Sequence, residues 1–560
     1  MSAVTALRGG RIFDPAQGRA GDGGDLFFAD GRIISAPHGS PAARDIDVSG
    51  KVVMAGGIDM HSHIAGGKVN IARSLMIADQ RENPDARAGG LRSGGLRSGG
   101  GRAGPTTFTT GYRYAELGYT AVFEPAMVPA NARHAHAELA DTPMIDKGCY
   151  VMLGNDDCFL RLLARGAAAS ELADYVAWMM RATQAIAVKV VNPGGISAFK
   201  FNGRSLHFDD PSPFYEITPR RIVTALATAL RDLGVVHPLH IHANDLGLPG
   251  NVETTLATIA AADGLPIHLT HLQFHSYGTE GDRRFSSAAA RIAEAVNLSR
   301  HVSVDIGQVM FGQTVTASGD TMSQYRNRRF ASPKKWVCMD IECDGGCGLV
   351  PFRYRDQNFV NALQWAIGLE LFLLIEDPWR VFLTTDHPNG APFTTYPHLI
   401  RLLMDKGFRD SMLATIHPEA AAASTLGSIR REYSLDEIAI ITRAGPARIL
   451  GLADRGHLGA GAAADITVLA DDPDREAMFS RPALVFKDGT QVVRDGRVIA
   501  SVQGGTHVTE PAYDRAIESR IDSFFAENLT VRAGNFRISD DQVAESGPRF
   551  AHPCAGSALA

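Results

Sequence analysis

The chain has 560 residues, 45% of them hydrophobic and 21% charged, which is enough apolar material for a large folded domain with a smaller one attached. Its 55 basic and 61 acidic side chains leave a net charge of −6, which gives no general reason to expect nucleic acid or a membrane as a partner. The start of the chain lacks the pattern of a secretory signal and its longest apolar run is too short to span a bilayer, so we expect a cytoplasmic protein with its six cysteines reduced.

Short strands with glycine-rich turns are predicted at both flanks of a central region. LRGGRIFDPAQGRAGDGGDLFFADGRIIS near the start, and GHLGAGAAADITVLADDPD with PALVFKDGTQVVRDGRVIA near the end, combine apolar residues with Gly and Asp-Gly turns. We predict that residues 1–50 and 451–505 pair into one small β-sandwich. Residues 506–560 form a C-terminal extension with one helical stretch, AYDRAIESRIDSFFAEN, to which no role is assigned.

Strands and helices alternate between these flanks, over residues 51–450. Eight apolar stretches rich in Val and Ile resemble strands buried on both faces: KVVMAGGIDMHSH, TAVFEPA, CYVMLGND, AIAVKVVN, PLHIHAN, PIHLTHLQ, VSVDIGQ and RVFLTTD. Helical stretches such as SELADYVAWMMRATQ and VETTLATIAAAD lie between them, and another helix is predicted to begin at Thr218-Pro219, an N-cap followed by proline. This α/β alternation predicts a (β/α)8, TIM-type barrel, in which catalytic groups lie at the C-terminal ends of the strands.

Two loop segments have unusual compositions. GGLRSGGLRSGGGRAG repeats LRSGG in tandem without an apolar face, and we interpret it as a flexible surface insertion rather than a flap over the active site. Cys338, Cys343 and Cys347 in WVCMDIECDGGCGLVPF lack a nearby fourth cysteine and match neither common ferredoxin spacing. Reduced loop thiols are therefore favoured over an iron–sulfur cluster.

Side chains that bind metals recur where predicted strands end. His61 and His63 share one face of the first strand because side chains alternate along a strand. HIHAND ends the fifth strand, HLTHLQ the sixth and TTDHPNG the eighth. Imidazoles and carboxylates are the ligands of hydrolytic zinc sites, and two ions about 3.5–4 Å apart need a bridging ligand. Lys189 on the fourth strand is a candidate, because a buried neutral amine can add CO2 to form a carbamate.

Each of these residues also has a simpler structural interpretation. Two histidines on a buried strand can simply form hydrogen bonds with neighbouring residues, and His240 or His268 alone would have a structural role. Lys189 could reach solvent from a strand end, and Asp386 could cap the next helix. The joint pattern favours the metal site, since four of the eight strands end in ligand-type residues and the eighth ends in an acid.

The motifs resemble those of the amidohydrolase superfamily. GGIDMHSH, the lysine on the fourth strand, histidines on the fifth and sixth, the aspartate on the eighth and a composite β-sandwich carry this resemblance over almost all of residues 1–505. Within the superfamily, six stretches are similar to the A subunits of formylmethanofuran dehydrogenases and of bacterial formyltransferase/hydrolase complexes. These stretches are HIAGGKVNIARS, TTGYRYAELGYTAVFEPAM, VKVVNPGG, HIHANDLGLPGN, DIGQVMFGQT and LTTDHPNGAPF.

The resemblance implies a centre with two divalent ions, for which zinc is expected, and a carboxylated Lys189. One ion would be held by His61, His63, Lys189 and Asp386, and the other by Lys189, His242 and His271. His242 and His271 are preferred to His240 and His268 because they lie nearer the strand ends. Lys200 ranks below Lys189 as the bridging residue because it follows NPGG, outside the strand. Asp386 would also be the catalytic acid and base.

The implied reaction is hydrolysis of N-formylmethanofuran or formylmethylofuran to formate and the free amine. The implied partners are the other subunits of a formyltransferase/hydrolase complex and a furan cofactor with a long acidic tail, without nucleic acid or membrane. Candidate substrate-binding residues are Asn70, Arg73, Asn244, Gln308, His387, Arg326, Arg328 and Arg329, and the basic run YRNRRFASPKKW adds Lys334 and Lys335. The alternatives are the amidohydrolase subunit of a CO2-reducing formylmethanofuran dehydrogenase, a cyclic amidase of the hydantoinase or dihydroorotase type, and an inactive scaffold.

Overall fold

The structure is a computed structural model that describes residues 3–37, 42–66, 69, 72–73, 75–76, 107–318, 320–328, 348–557 and 559. Several residues singled out from the sequence lie outside these ranges: Asn70, Arg329, Lys334, Lys335, Cys338, Cys343, Cys347 and the LRSGG repeat. Within the described ranges, no helix is long and apolar enough to cross a membrane.

Eight parallel strands form the centre of the part of the chain that the structure describes. They are numbered here as barrel strands 1 to 8: Gly57–Asp59, Tyr119–Met127, Asp146–Met152, Ala187–Val191, Leu239–His242, Ile267–Leu269, Val302–Asp305 and Val381–Phe382. Each strand pairs with the next in chain order. Ser62 pairs in parallel with His387, which joins the end of strand 1 to the end of strand 8. The predicted TIM-type barrel is confirmed.

Helices follow the barrel strands, as the alternating sequence pattern predicted. The longer ones between strands 1 and 8 are Thr107–Glu116, Ala132–Ala140, Asp157–Ala164, Ala169–Ala182, Pro219–Asp232, Val252–Ala262, Ala289–Leu298 and Phe359–Leu374. After strand 8 come Tyr396–Met404, Lys406–Leu413, Pro418–Ala422, Leu435–Ala439 and Gly445–Leu450. Thr218 caps its helix by accepting a hydrogen bond from the Arg221 amide, so the helix start predicted at Thr218-Pro219 is confirmed.

Strands from both flanks of the barrel form one sheet, which has nine strands within the described ranges. The N-terminal flank contributes Thr5–Asp14, Arg19–Ala29, Arg32–Ile34, Arg44–Asp47 and Lys51–Ala55, and the C-terminal flank contributes Ile466–Ala470, Leu484–Lys487, Thr490–Arg494 and Arg497–Val498. Lys51–Ala55 pairs antiparallel with Ile466–Ala470, which is where the two flanks meet. Phe28 and Phe486, one from each flank, pack edge to face with ring centroids 5.2 Å apart.

The chain passes from this sheet into the barrel at Gly56. The Gly56 amide donates to Asp465 in the sheet, whereas the Gly57 amide donates to Gly118, beside barrel strand 2. A Cβ on Gly56 would lie 2.1 Å from Thr120 Oγ1, so only glycine allows this close approach. The stretch KVVMAGGIDMHSH, predicted as a single barrel strand, is therefore two strands in two different sheets.

Buried ion pairs connect the sheet to the barrel at the end opposite the C-terminal strand ends. Lys487 Nζ lies 3.1 Å from Asp146 Oδ2 at the start of barrel strand 3, and Arg455 Nε lies 2.8 Å from the same oxygen. Burial alone would raise the pKa of Asp146, but the charges of Lys487 and Arg455 hold it well below its usual range. The N-terminal end of barrel strand 3 is thus linked to the sheet by buried side chains whose opposite charges compensate one another.

The C-terminal extension packs along the barrel. Thr506–Thr509 forms a strand next to barrel strand 3, where Thr506 pairs with Lys147. The strand Arg549–His552 pairs in parallel with Thr506–Thr509. The predicted helical stretch is confirmed as the helix Ile517–Asn528. Its Phe525 packs edge to face on Trp178, with ring centroids 6.0 Å apart. The extension is therefore part of the folded domain.

Candidate active site

His61, His63 and Asp386 converge at the C-terminal ends of barrel strands 1 and 8. Nε2 of His61 and Nε2 of His63 each lie 3.1 Å from the same oxygen, Asp386 Oδ1. His61 is fully buried, whereas the His63 side chain is 13% exposed and lines a cavity. We call these three side chains the first ligand cluster.

The backbone around the first ligand cluster is held by a hydrogen-bond network. Asp59 Oδ1 accepts the His61 amide at 3.1 Å, and Asp59 Oδ2 accepts the hydroxyls of Tyr114 and Tyr396 at 2.7 and 2.5 Å. Asp386 has a positive φ of 50°, which turns the chain sharply after barrel strand 8. Burial opposes ionisation of Asp386, but the nearby histidines, chiefly His271, hold its pKa well below the usual range.

His242, His271 and Lys189 surround the neighbouring part of the same cavity. The rings of His242 and His271 are perpendicular, with centroids 4.7 Å apart, and the His271 ring is 5.6 Å from that of His61. Lys189, on barrel strand 4, is 2% exposed and lines the cavity together with His242 and His271. His242, His271 and Lys189 form what we call the second ligand cluster.

The alternative residues lie in different places. His240 and His268 point into the closed interior of the barrel, where His240 Nε2 is 2.9 Å from His61 Nδ1, and His268 contacts Ser303 Oγ at 2.9 Å and Asp305 Oδ2 at 3.0 Å. Lys200 lines the cavity from the helix Gly195–Lys200, but it is exposed. The ranking of His242, His271 and Lys189 above these three stays a prediction, which their burial at the cavity supports.

The two clusters have the chemistry of a site for divalent transition metals. Their donors are imidazole nitrogens, a carboxylate and an amine that can become a carbamate. Burial lowers the pKa of His242 and, further, that of His271, and neutral imidazole is the form that binds a metal. His271 Nδ1 is buried and has no hydrogen-bond partner among the described residues, so it has a lone pair or proton to offer. His61, His271 and Asp386 form one of the groups of side chains that could hold an ion.

Two carboxylates that orient these histidines were not predicted from the sequence. Glu124, within barrel strand 2, lies 3.1 Å from His63 Nδ1 and accepts hydrogen bonds from the amides of Ile64 and Ala65. Asp320 Oδ2 lies 3.2 Å from His242 Nε2. Glu124 lies within the strand stretch TAVFEPA, but Asp320 follows no recognisable motif, so only Glu124 carried a signal, as the last acid of a predicted strand.

A cavity of about 860 Å³ connects both ligand clusters to the surface. Its inner end is lined by His63, Lys189, His242, His271 and Asp386. The lining also includes Met179 and, from the C-terminal extension, Phe525, Leu529 and Phe536. The extension therefore contributes to the same cavity as the metal-binding side chains, a role that no sequence motif indicated.

Four of the candidate substrate-binding residues are buried in the surrounding structure, away from the cavity lining. Gln308 Nε2 donates to the carbonyls of Val309 and Trp365, and Asn244 Nδ2 donates to Asn192 Oδ1. Arg73 donates to the Ile64 carbonyl, and the His387 ring packs on Phe393 with centroids 4.8 Å apart. These side chains shape the loops around the clusters, and the structure does not bring them to the cavity surface.

Arg326 and Arg328, the two arginines of the basic run within the described ranges, both interact with neighbouring side chains. Arg326 forms an ion pair with Asp245 and its side chain is 21% exposed. Arg328 stacks on Tyr325, with its guanidinium carbon 3.8 Å from the ring centroid. Between them in sequence, Asn327 lines the cavity. The helix Thr321–Asn327 thus lies beside the cavity, and a role for the basic run in binding an acidic tail stays a prediction.

Comparison with known proteins places this chain in a family. The pattern of the amidohydrolase family matches residues 44–500, which is most of the chain. The chain belongs to the amidohydrolase family. Its barrel and its flanking β-rich regions are those of the amidohydrolase fold, and the resemblance inferred from the motifs is confirmed.

Two curated amidohydrolase relatives match over nearly their full lengths. The A subunit of the formyltransferase/hydrolase complex of Methylorubrum extorquens is 43% identical over 558 residues, covering 98% of both chains. Protein FwdA of Methanocaldococcus jannaschii is 41% identical over 560 residues, covering 96% of both. A solved structure of the Methylorubrum extorquens complex with methylofuran contains a chain that is 42% identical, with a TM-score of 0.90, over 98% of this chain and 100% of that one.

Proposed function

We propose that this amidohydrolase hydrolyses the formamide of a formylated furan cofactor, formylmethylofuran or formylmethanofuran, to formate and the free amine. The observation that carries the proposal is the full-length similarity to the A subunit of a formyltransferase/hydrolase complex whose structure was solved with methylofuran. Two clusters of metal-binding side chains at the inner end of a deep cavity support it. We further propose that the chain works as one subunit of such a complex.

In this proposal, the two ligand clusters hold two divalent ions, which we expect to be zinc. His61, His63 and Asp386 would hold one, and His242 and His271 the other, with carboxylated Lys189 between them. Ions held there would supply a bound water with a pKa lowered toward neutrality and a Lewis acid for the formyl oxygen. Because the inner cavity is buried among these side chains, the reacting formyl group would be oriented there with little competing water.

Asp386 is the proposed proton carrier. Its Oδ1 faces both histidines of the first ligand cluster, and its side chain lines the cavity, so it reaches the space where the attacking water would lie. The carboxylate would take a proton from that water as the C–O bond forms and pass it to the amine nitrogen as the C–N bond breaks. The products are the free amine and formic acid, which ionises to formate at neutral pH and thereby supplies the proton that the released amine takes up.

The proposal is tested by measuring formate released from formylmethylofuran without an electron acceptor. We expect steady release by the wild type and a rate about 10²–10⁴-fold lower for Asp386→Asn, because a positioned acid and base contributes that much. Asp282→Asn, at an exposed position, is the control and should keep the wild-type rate. Absence of formate release by the wild type, with its metal content intact, would contradict the proposal.

The second candidate function is the amidohydrolase subunit of a formylmethanofuran dehydrogenase. It is kept because Protein FwdA matches this chain nearly as well as the Methylorubrum extorquens protein does. The same assay separates the two, since consumption of the formylated cofactor that requires an added electron acceptor would favour the dehydrogenase.

A further inference from the structure

His275 is a third imidazole beside His242 and His271 that the ligand sets above leave unused. Its side chain is 2% exposed, and its ring centroid lies 5.5 Å from that of His242 and 5.4 Å from that of His271. One nitrogen of each of the three rings lies within 4.8 Å of the other two. The three rings therefore border one small space next to the cavity, which His242 and His271 line.

Neither nitrogen of His275 has a hydrogen-bond partner among the residues that the structure describes. Of the acids whose charges act on it, Asp320 has the larger effect, but the oxygens of that carboxylate accept from Asn192 Nδ2, Ser323 and His242. A buried imidazole with two unpaired nitrogens is unfavourable unless another group contacts it. The free nitrogens thus point to a ligand that the three rings share.

The position of His275 is fixed by its backbone. It ends the short turn Leu272–His275, which follows directly on His271 and its positive φ of 36°. Thr255 Oγ1 donates to the His275 carbonyl at 2.7 Å, and Asn251 Nδ2 donates to the Phe274 carbonyl at 2.8 Å. These bonds from the start of the helix Val252–Ala262 hold the turn so that rings four residues apart face the same space.

We infer that His242, His271 and His275 together hold one divalent metal ion, and that this ion does not depend on the carbamate of Lys189. Three imidazoles suffice for zinc in known enzymes and leave a fourth position open for water or substrate. The inference rests on the proposed binuclear centre and adds a ligand to it. It does not depend on the identity of the substrate. It means that the second ion can bind before Lys189 is carboxylated.

The test measures zinc bound to chelator-treated protein after reloading with Zn²⁺ and gel filtration, using inductively coupled plasma mass spectrometry. We expect Lys189→Met to retain about one ion per chain. If the second ion needed the carbamate of Lys189, this variant would not bind it. Adding His275→Gln to Lys189→Met should weaken binding of that ion by at least about 100-fold in competition with a chelator, since even groups that only orient a ligand contribute 10–100-fold.

The matched control is Lys189→Met with His136→Gln, which removes a buried imidazole outside the cavity and should leave zinc binding unchanged. The inference is overturned if Lys189→Met binds no zinc, or if adding His275→Gln leaves the affinity unchanged. Should the double variant fail to fold by near-ultraviolet circular dichroism, His275→Gln alone decides: we expect weaker binding of one of two ions. A wild type that binds zinc but releases no formate would remove the proposed function and leave this inference standing.

Discussion

Glu124 and Asp320 each orient one histidine of the candidate centre. Glu124 contacts the Nδ1 of His63, whose Nε2 faces Asp386, and Asp320 contacts the Nε2 of His242. A carboxylate bonded to a metal-binding imidazole fixes its orientation and tautomer and raises its basicity. Since the two acids serve different ligand clusters, their loss should weaken different ions.

We therefore predict that Glu124→Gln weakens the ion at the first ligand cluster about 10–100-fold and that Asp320→Asn weakens the ion at the second to a similar extent. The measurement is chelator competition with Co²⁺-loaded protein, in which the absorption bands of the two ions are followed separately. Glu138→Gln is the control, because that buried carboxylate bonds the Gly66 amide rather than a histidine of either cluster. Loss of both ions together in either variant would contradict the separate roles.

At this scale, the predictable residues were those whose position follows from strand geometry. His61 and His63 share a strand face, and Asp386 ends a strand, so their convergence follows from the barrel. Glu124 lies in a predicted strand, but its contact with His63 depends on the packing of barrel strand 2 beside the loop after strand 1. The position of His275 depends on a turn held by another helix, and it leaves no local pattern. Contacts between distant loops are set by tertiary packing, which a single sequence does not display.

At the scale of elements, the C-terminal extension is the largest addition to the predicted barrel. The barrel strands were predictable because strands buried on both faces leave long apolar stretches. The division of the first stretch at Gly56 was not, because it depends on the contact with Thr120, a residue on another strand. The packing of the helix Ile517–Asn528 on the barrel could not be predicted from the sequence either, since it depends on Trp178 of a helix far away in the chain.

Because this helix forms part of the cavity wall, we predict that Leu529→Ser raises the KM for the formylated cofactor about three- to tenfold with little change in kcat. Leu529 is 45% exposed and lines the cavity, so its loss removes apolar contact worth about 1 kcal/mol from substrate and transition state alike. Val531→Ser is the matched control, since Val531 is 38% exposed and lies outside the cavity lining. Equal effects of the two changes on KM would show that the extension does not contact the substrate.

For the whole molecule, buried neutral histidines create a sensitivity to acid. His136, in the helix Ala132–Ala140, is buried and bonds the Thr183 carbonyl through Nε2 at 2.9 Å. Burial lowers its pKa from 6.5 to about 4, and the bond to Thr183 only partly opposes this. The unfolded chain therefore takes up a proton at His136 near pH 6.5, whereas the folded chain does so only near pH 4. The contribution of His136 to folding stability therefore falls as the pH drops through this interval and levels off below it.

We predict that His136→Gln removes this contribution, because glutamine can donate to the same carbonyl but does not titrate. A pKa lowered from 6.5 to about 4 corresponds to about 3 kcal/mol of stability lost between neutral pH and pH 4. The midpoint of acid unfolding of the chelator-treated protein, followed by near-ultraviolet circular dichroism, should move to lower pH in the variant. His134→Gln, two residues away with a half-exposed ring, should leave the midpoint unchanged. An unshifted midpoint in His136→Gln would mean that other buried groups set the acid limit of the fold.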